Sequence, residues 1–142
     1  MMSSRTPLAC VAFMLIADQH ILVEKRSAAK RLLPGIMAIP GGHVEAGETL
    51  EAALVRELHE ELNITPLGFT HLCDRLHQAE EYRRIHYFVV ERWTGEMVMQ
   101  EAAALHWLPL DNVSALNLEV DMTAVAQYRA QASPSNRTNA EF

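Results

Sequence analysis

The chain has 142 residues, of which 49% are hydrophobic and 21% are charged, and its formal net charge is −6. This length gives room for one domain with a hydrophobic core. The acidic balance argues against a protein that binds polymeric nucleic acid by neutralising phosphates. The two cysteines, Cys10 and Cys73, have no Cys-x-x-Cys spacing, which favours buried thiols and a cytoplasmic location.

The first hydrophobic segment, Leu8–Ala17, follows Arg5 and has two interpretations. It could be the core of a signal peptide, or it could be a buried strand. It is too short to cross a membrane as a helix. Because residues 21–23 form a second short apolar run after a polar turn, we favour a strand with a hairpin partner and expect no membrane association.

The remaining segments alternate between strand and helix patterns. We predict strands at 35–39, 67–76, 84–93 and 105–108, a polar loop at 77–83, a turn at 94–96, one helical turn at 111–116 and a terminal helix at 120–131. The polar segment 132–142 is predicted to be disordered, which leaves one domain over residues 1–131. The order of elements alone indicates an α/β or α+β fold.

A helix is predicted in the middle of the chain, after a turn rich in glycine and glutamate. Thr49 is suited to be its N-cap, because a threonine oxygen can accept a bond from a free backbone N–H of the first turn. The expected apolar stripe consists of Leu54, Leu58 and Leu62, widened by Val55. Asn63 is placed to end the helix in the left-handed conformation.

Three carboxylates, Glu57, Glu60 and Glu61, fall within about 100° of arc at the edge of this stripe. Like charges at such spacing repel by about 0.2–0.5 kcal/mol per pair. Taken alone, the cluster could be an ordinary solvated helix face. The alternative is a divalent cation site, because Mg²⁺ prefers carboxylate oxygens and substrate phosphates.

The segment from Gly42 to Ile64 reads GHVEAGETLEAALVRELHEELNI and resembles the Nudix box. Glu48, Arg56 and the three helix glutamates stand at the matching positions, and Asn63 stands where the family has glycine. The resemblance extends from about residue 9 to about residue 129. It implies the Nudix fold, a mixed β-sheet sandwiched between α-helices, and hydrolysis of a nucleoside diphosphate linked to another group.

The resemblance also implies roles for individual residues. The metal shell, for Mg²⁺ or Mn²⁺, would consist of the Gly41 carbonyl with Glu57, Glu60 and Glu61. Glu57 or Glu101 would orient or deprotonate the attacking water. Arg56 would orient the carboxylates, and Glu48 would hold the loop against the helix. Glu101 stands six residues before Trp107, as an acidic residue does in MutT-type members, and we expect Trp107 itself in the core.

Contacts to the substrate are harder to place. Candidates for phosphate or ribose are Arg26, Arg31, Arg75, Arg83 and Arg84, while Tyr82 could stack on a base and Asn117 and Asp121 could read its edge. We expect the partner to be a small nucleotide or nucleotide derivative, and the sequence leaves a homodimer open.

Several functions remain open within this resemblance. The first is a MutT-type nucleoside triphosphate pyrophosphohydrolase, favoured by the short chain. The second is a coenzyme A diphosphatase, suggested by residues 22–27 although Glu24 and Ile39 depart from the usual pattern. The position of Tyr82, eighteen residues past the box, leaves a dinucleoside polyphosphate hydrolase open. A binding module without catalysis is disfavoured because all three helix carboxylates are present.

Overall fold

The computed structural model describes residues 6–30 and 32–132. Arg31 and residues 133–142 of the predicted disordered tail lie outside the described residues. The elements are β1 (Leu8–Ala17), β2 (His20–Lys25), β3 (Met37–Ala38), β4 (Gly41–His43), α1 (Leu50–Leu62), β5 (Thr65–Pro66), β6 (Thr70–Gln78), β7 (Tyr82–Val90), β8 (Trp93–Thr94), β9 (Ala104–Pro109) and α2 (Glu119–Ala132). No helix within these described segments is long and apolar enough to span a membrane.

In the described part of the chain, β1 lies in the middle of a seven-stranded mixed sheet. The strand order is β3-β2-β1-β7-β6, with β4 paired to β1 and β9 paired to β2, while β5 and β8 form a separate small sheet. β1 runs parallel to β7 and antiparallel to β2 and β4. Most of its side chains are buried, as expected for a strand covered on both faces. The strand interpretation of Leu8–Ala17 is therefore confirmed, with β2 as its hairpin partner.

A helix covers each face of this sheet. The core beneath α2 includes Met14, Tyr87 and Val125. The core beneath α1 includes Phe13, Leu58 and Phe88. Alternate residues of β1 and β7 enter the two cores because side chains alternate along a strand. Each such fully buried side chain contributes on the order of 1.5–3 kcal/mol, so both helices are held firmly. The predicted fold, a mixed sheet sandwiched between helices, is confirmed.

The ends of α1 are where the sequence predicts them. The Thr49 hydroxyl accepts a hydrogen bond of 3.1 Å from the backbone N–H of Ala52. Asn63 ends the helix in the left-handed conformation, with φ 60° and ψ 34°, and its N–H bonds to the His59 carbonyl. Val55 does not widen the buried stripe, because its side chain is 39% exposed and the fully buried Ala53 lies on that face instead.

Other predicted elements differ in extent. The predicted strand at 35–39 is reduced to β3, and the glycine-rich turn after it contains β4, which the sequence did not predict. The predicted helical turn at 111–116 is not a helix, since the hydrogen bonds from Asn112 to Pro109 and from Leu116 to Val113 form separate turns. The terminal helix is confirmed as α2.

Trp107 is not a core residue, contrary to expectation. It lies on β9 opposite Leu22 of β2 and is 42% exposed. Its ring is stacked on Trp93, with the ring centroids 6.5 Å apart and the planes inclined by 16°. Pairing between the two indoles, at the margin of the core, takes the place of burial.

We predict that Asn63→Gly changes the free energy of unfolding by less than about 1 kcal/mol. Glycine adopts the left-handed conformation without strain, and this gain offsets the greater freedom of glycine in the unfolded chain. Asn63→Ala is the control, and it should be less stable than both, because alanine lacks the tolerance of asparagine for positive φ. Urea unfolding of the three proteins measures the order. If Asn63→Ala were as stable as the parent protein, the left-handed conformation at residue 63 would carry no energetic cost for alanine.

Candidate active site

The predicted catalytic and metal-binding residues line one cavity. It has a volume of about 420 Å³ and lies between the N-terminal half of β1, β4, α1 and the segments after β2 and β8. Its polar lining includes Arg26, Lys30, Gly41, Gly42, His43, Glu45, Arg56, Glu57, Glu60, Glu61, Arg83, Glu101 and Asp121. Both the predicted metal-binding glutamates and the distant Glu101 are therefore brought together by the fold.

Two glycines allow the backbone of β4 to fit between β1 and α1. A Cβ atom on Gly41 would lie 2.1 Å from the carbonyl oxygen of Val11, which is fixed backbone of β1. A Cβ atom on Gly42 would lie 2.3 Å from the carboxylate of Glu57, which is the end of a flexible side chain. The two positions thus exclude side chains for different reasons. Gly41 permits the strand pairing, and Gly42 permits the position of the Glu57 carboxylate.

Arg56 connects the loop before α1 to the carboxylates on the helix. It donates to Glu48 through Nε and Nη2, at 2.7 and 3.0 Å, and to the backbone carbonyl of His43 at 2.9 Å. Its Nη1 donates to Glu57 at 3.0 Å and to Glu60 at 3.1 Å. These contacts match the positioning role that the resemblance implied for Arg56.

Glu48 also fits its expected structural role. Its Oε1 accepts a hydrogen bond of 2.9 Å from the backbone N–H of Glu45, in addition to the bonds from Arg56. The bonds from Arg56 and from that backbone N–H lower the pKa of Glu48 to about 2. Glu48 is therefore ionised and closes the turn in front of α1.

The carboxylates on α1 lie in an unfavourable electrostatic environment. Burial, together with the charges of Glu24, Glu101 and Glu57, raises the pKa of Glu61 to about 8. Burial also raises the pKa of Glu57, although the hydrogen bond from Arg56 opposes this shift. Several acidic groups thus share a region where their charges are poorly solvated. A bound cation would relieve this repulsion.

Charged residues of this region that were not predicted as site residues include Glu24 and Lys30. Glu24 of β2 is 4% exposed, with Arg26 as an ion-pair partner at 3.6 Å, and its charge acts on Glu61. Lys30 donates to Glu101 at 2.8 Å. A glutamate within an apolar strand was the available signal for Glu24, since charged residues are rarely buried without a partner. The sequence held no signal for Lys30.

Only some of the candidate substrate contacts line the cavity. Arg26, Arg83 and Asp121 do, and Arg26 is held in place by hydrogen bonds to the carbonyls of Leu32 and Leu33. The candidates outside the lining are Arg75, Tyr82, Arg84 and Asn117. Arg31 lies outside the described residues.

Asn117 and Asp121 both bond to the segment around β3. The side-chain oxygen of Asn117 accepts from the backbone N–H of Met37 at 2.6 Å. Asp121 accepts from the N–H of Ile39 at 3.0 Å and from the hydroxyl of Tyr87 at 2.5 Å. Burial raises the pKa of Asp121 to about 6, although these hydrogen bonds oppose the shift. In this structure Asp121 therefore anchors the segment of β3 to α2, and Asn117 anchors it to the residues just before α2.

The donor set fits a hard divalent cation. Glu57, Glu60 and Glu61 offer carboxylate oxygens to the same cavity, and His59 of α1 does not line it. Oxygen donors of this kind suit Mg²⁺ and Mn²⁺. The raised pKa of Glu61 shows that its ionised form is disfavoured without a cation, so a bound cation would stabilise the carboxylate as a ligand. The residues present are thus compatible with the metal that the resemblance implied.

Comparison with known proteins agrees with this fold. The NUDIX domain family profile matches residues 5–128, and the chain therefore belongs to the Nudix family. It is 39% identical over 100 residues to 8-oxo-dGTP diphosphatase of Escherichia coli (strain K12), covering 69% of this chain and 76% of that protein. The chain is accordingly a Nudix pyrophosphohydrolase with MutT-type relatives.

Two further similarities extend this result. The crystal structure of a MutT Nudix hydrolase from Burkholderia pseudomallei superposes with a TM-score of 0.78 at 26% identity, covering 87% of this chain and 98% of that one. An ADP-ribose pyrophosphatase of Methanocaldococcus jannaschii is 42% identical over 60 residues, covering 42% of this chain and 34% of that protein. The similarity to the second protein is therefore confined to a shorter part of both chains.

We predict opposite consequences for alanine at the two neighbouring glycines. Gly42→Ala should lower kcat by about 10²-fold or more, since the new methyl group displaces the Glu57 carboxylate, and displacement by about 1 Å is enough for such a loss. Its stability should change little because the side chain of Glu57 can move. Gly41→Ala should lower the free energy of unfolding by about 1–3 kcal/mol, because backbone must shift. Steady-state kinetics and urea unfolding distinguish the two. Full activity in Gly42→Ala would contradict the importance of this carboxylate position.

Proposed function

We propose that the protein is a Mg²⁺-dependent MutT-type pyrophosphohydrolase that converts (deoxy)nucleoside triphosphates to monophosphates and pyrophosphate. One observation carries this proposal. The carboxylates of Glu57, Glu60 and Glu61 share a cavity with the cationic side chains of Arg26 and Arg83. A site of this kind suits an anionic substrate that arrives with a divalent cation. It is also about the size expected for a small-molecule site.

The helix carboxylates are the proposed metal ligands, together with the carbonyl of Gly41. Bound there, Mg²⁺ or Mn²⁺ would neutralise the phosphate oxygens and lower the pKa of a coordinated water. Arg56 contributes by positioning. It holds Glu57 and Glu60 through the same Nη1 nitrogen and ties them to the preceding loop through Glu48. Such fixed ligands need little rearrangement when the substrate binds.

Two carboxylates are candidates for the group that orients the attacking water. Glu57 is buried and held by Arg56, so its position is well defined. Glu101 lies in the segment after β8 and is held by Lys30. Both line the cavity, and either can accept a proton from water. To identify the base, kcat is measured as a function of pH for separate Glu57→Gln and Glu101→Gln variants. The variant that lacks the base should no longer show the rise of kcat with increasing pH.

The cationic side chains of the cavity are proposed to bind the phosphates of the substrate. Arg26 is fixed by the carbonyls of Leu32 and Leu33, so its guanidinium is already oriented when the substrate arrives. Arg83 lies across the cavity on β7 and bonds to His77 at 2.9 Å. Arginine suits this task because its planar donors match phosphate oxygens. These two arginines supply positive charge to the cavity of a chain that is acidic as a whole.

The proposed substrate preference rests on the relatives. The Escherichia coli relative is named for hydrolysis of an oxidised guanine nucleotide, and its similarity spans most of both proteins. We therefore favour nucleoside triphosphates, oxidised ones included, as small partners rather than polymeric nucleic acid. ADP-ribose is the second candidate, because a relative named for that substrate is 42% identical over 60 residues. Coenzyme A and dinucleoside polyphosphates belong in the same comparison.

We predict that hydrolysis requires Mg²⁺ or Mn²⁺ and depends on the helix carboxylates. Glu60→Gln and Glu61→Gln should each lower kcat by roughly 10²–10⁴-fold, the scale expected for losing metal or acid–base function. Glu51→Gln is a matched control, since Glu51 is an exposed glutamate in the first turn of the same helix. Mg²⁺ should also raise the melting temperature of the parent and control proteins more than that of a Glu57→Gln, Glu61→Gln double variant.

Two results would contradict the metal site on α1. One is full activity after treatment with a chelator. The other is an equal rise in melting temperature with Mg²⁺ in the parent protein and in the double variant.

We predict that nucleoside triphosphates have a higher kcat/KM than coenzyme A, ADP-ribose or a diadenosine polyphosphate under identical Mg²⁺. Hydrolysis in ¹⁸O-water should place the label in pyrophosphate, because the MutT-type resemblance implies attack on the β-phosphorus. Label in the nucleoside monophosphate would instead show attack on the α-phosphorus. A tenfold advantage for any other substrate, equal to about 1.4 kcal/mol of transition-state preference, would overturn the triphosphate assignment.

A further inference from the structure

A second group of potential metal ligands lies outside the catalytic cavity. Oδ1 of Asp74 is 2.6 Å from Nε2 of His71 and 2.8 Å from Nδ1 of His86. The ligand atoms of the three residues all lie within 4.8 Å of one another. Asp74 and His71 belong to β6, and His86 lies directly opposite Asp74 on β7. None of the three lines the cavity that holds the helix carboxylates.

An irregularity in β6 produces this arrangement. Residues three apart on a regular strand point to opposite faces, so His71 and Asp74 would normally be separated by the sheet. A register shift between His71 and Cys73 places one extra residue in β6. As a result His71 pairs with Phe88 and Asp74 pairs with His86, and these two partners are two residues apart on β7. All three potential ligands therefore share one face, which is a known use of a β-bulge.

One of the three side chains is mostly buried, and the other two are accessible to solvent. The His86 side chain is 11% exposed, whereas those of Asp74 and His71 are 36% and 47% exposed. The ring of His71 also packs edge-on against Phe88, with centroids 5.4 Å apart, which restricts its orientation. An ion from solvent can thus reach ligands whose positions are largely set by the sheet.

We propose that His71, Asp74 and His86 form a binding site for Zn²⁺ that is separate from the catalytic metal site. Two imidazoles and one carboxylate are a donor set used by zinc, with three protein ligands and water at the fourth position. Imidazole favours borderline ions such as Zn²⁺ over Mg²⁺, whereas the catalytic carboxylates offer only oxygen. The two sites therefore select different cations through the chemistry of their ligands.

The present hydrogen bonds identify the nitrogens that would bind the ion. Nε2 of His71 and Nδ1 of His86 both face the oxygen of Asp74. In a neutral imidazole the proton can move to the other ring nitrogen, which frees a lone pair for a metal. Zinc would then link β6, at the edge of the sheet, to β7.

The test is a calorimetric titration of the full-length protein with ZnCl₂ at pH 7.5 in saturating Mg²⁺. NMR detection of the histidine ring nitrogens runs in parallel. We expect one strong zinc site, with the rings of His71 and His86 changing in slow or intermediate exchange. His71→Ala and Asp74→Asn should each lower zinc affinity at least tenfold. His106→Ala is the control, because His106 is an exposed histidine on another strand, and it should bind zinc like the parent protein.

Activity and zinc affinity, measured on the same variants, distinguish this site from the catalytic one. The Mg²⁺-dependent hydrolysis of His71→Ala should match that of the parent, since His71 lies outside the catalytic cavity. Should Asp74→Asn fold poorly, the exposed His71→Ala variant decides alone. Zinc affinity unchanged in His71→Ala, or zinc-dependent ring shifts confined to other histidines, would overturn the proposal. So would zinc binding that disappears in Glu60→Gln or Glu61→Gln but persists in His71→Ala, since zinc would then occupy the catalytic carboxylates.

Discussion

The fork of hydrogen bonds made by Arg56 fixes the geometry of the acidic site. Its guanidinium reaches Glu48 and the His43 carbonyl in the loop before α1, and Glu57 and Glu60 on the helix itself. Planar, rigid donors allow one side chain to set the relative positions of loop and helix. Lysine carries a point charge on a flexible stem and cannot impose that arrangement. Arg56 therefore needs its partners at these positions of the loop and the helix to make all of its hydrogen bonds.

This arrangement concentrates negative charge more than a purely structural helix would. Arg56 compensates the carboxylates that face the loop, namely Glu48, Glu57 and Glu60. Glu61 faces Glu24 and Glu101 instead, and its pKa is raised to about 8 by burial and by these neighbours. Functional sites are expected to contain arrangements that lower the stability of the fold, because those arrangements are needed for function. Binding of a divalent cation would offset the repulsion between these carboxylates and gives a functional reason for their arrangement.

The structural features that the sequence predicted best are those determined by local contacts. Both ends of α1 follow from Thr49 and Asn63, whose bonds reach no further than one turn. The two-residue strands β3, β5 and β8 were missed or misjudged because they exist only through pairing with distant strands. Long-range contacts also explain the site residues that were missed. Glu24 fits an ordinary strand until β2 is placed beside α1, and Lys30 meets Glu101 across 71 positions of sequence.

One row of residues across the sheet relates the catalytic site to the proposed zinc site. Gly42 pairs with Val11, Val11 pairs with His86, and His86 pairs with Asp74. Glu57 rests against Gly42 at one end of this row. At about 4.8 Å per strand, the row spans about 14 Å from Gly42 to Asp74. Salt screens charges that are separated by solvent, and the strands between these two ends screen much less. Since the Coulomb interaction still falls with distance, a cation at the far end would act mainly on the pairing of β6 with β7.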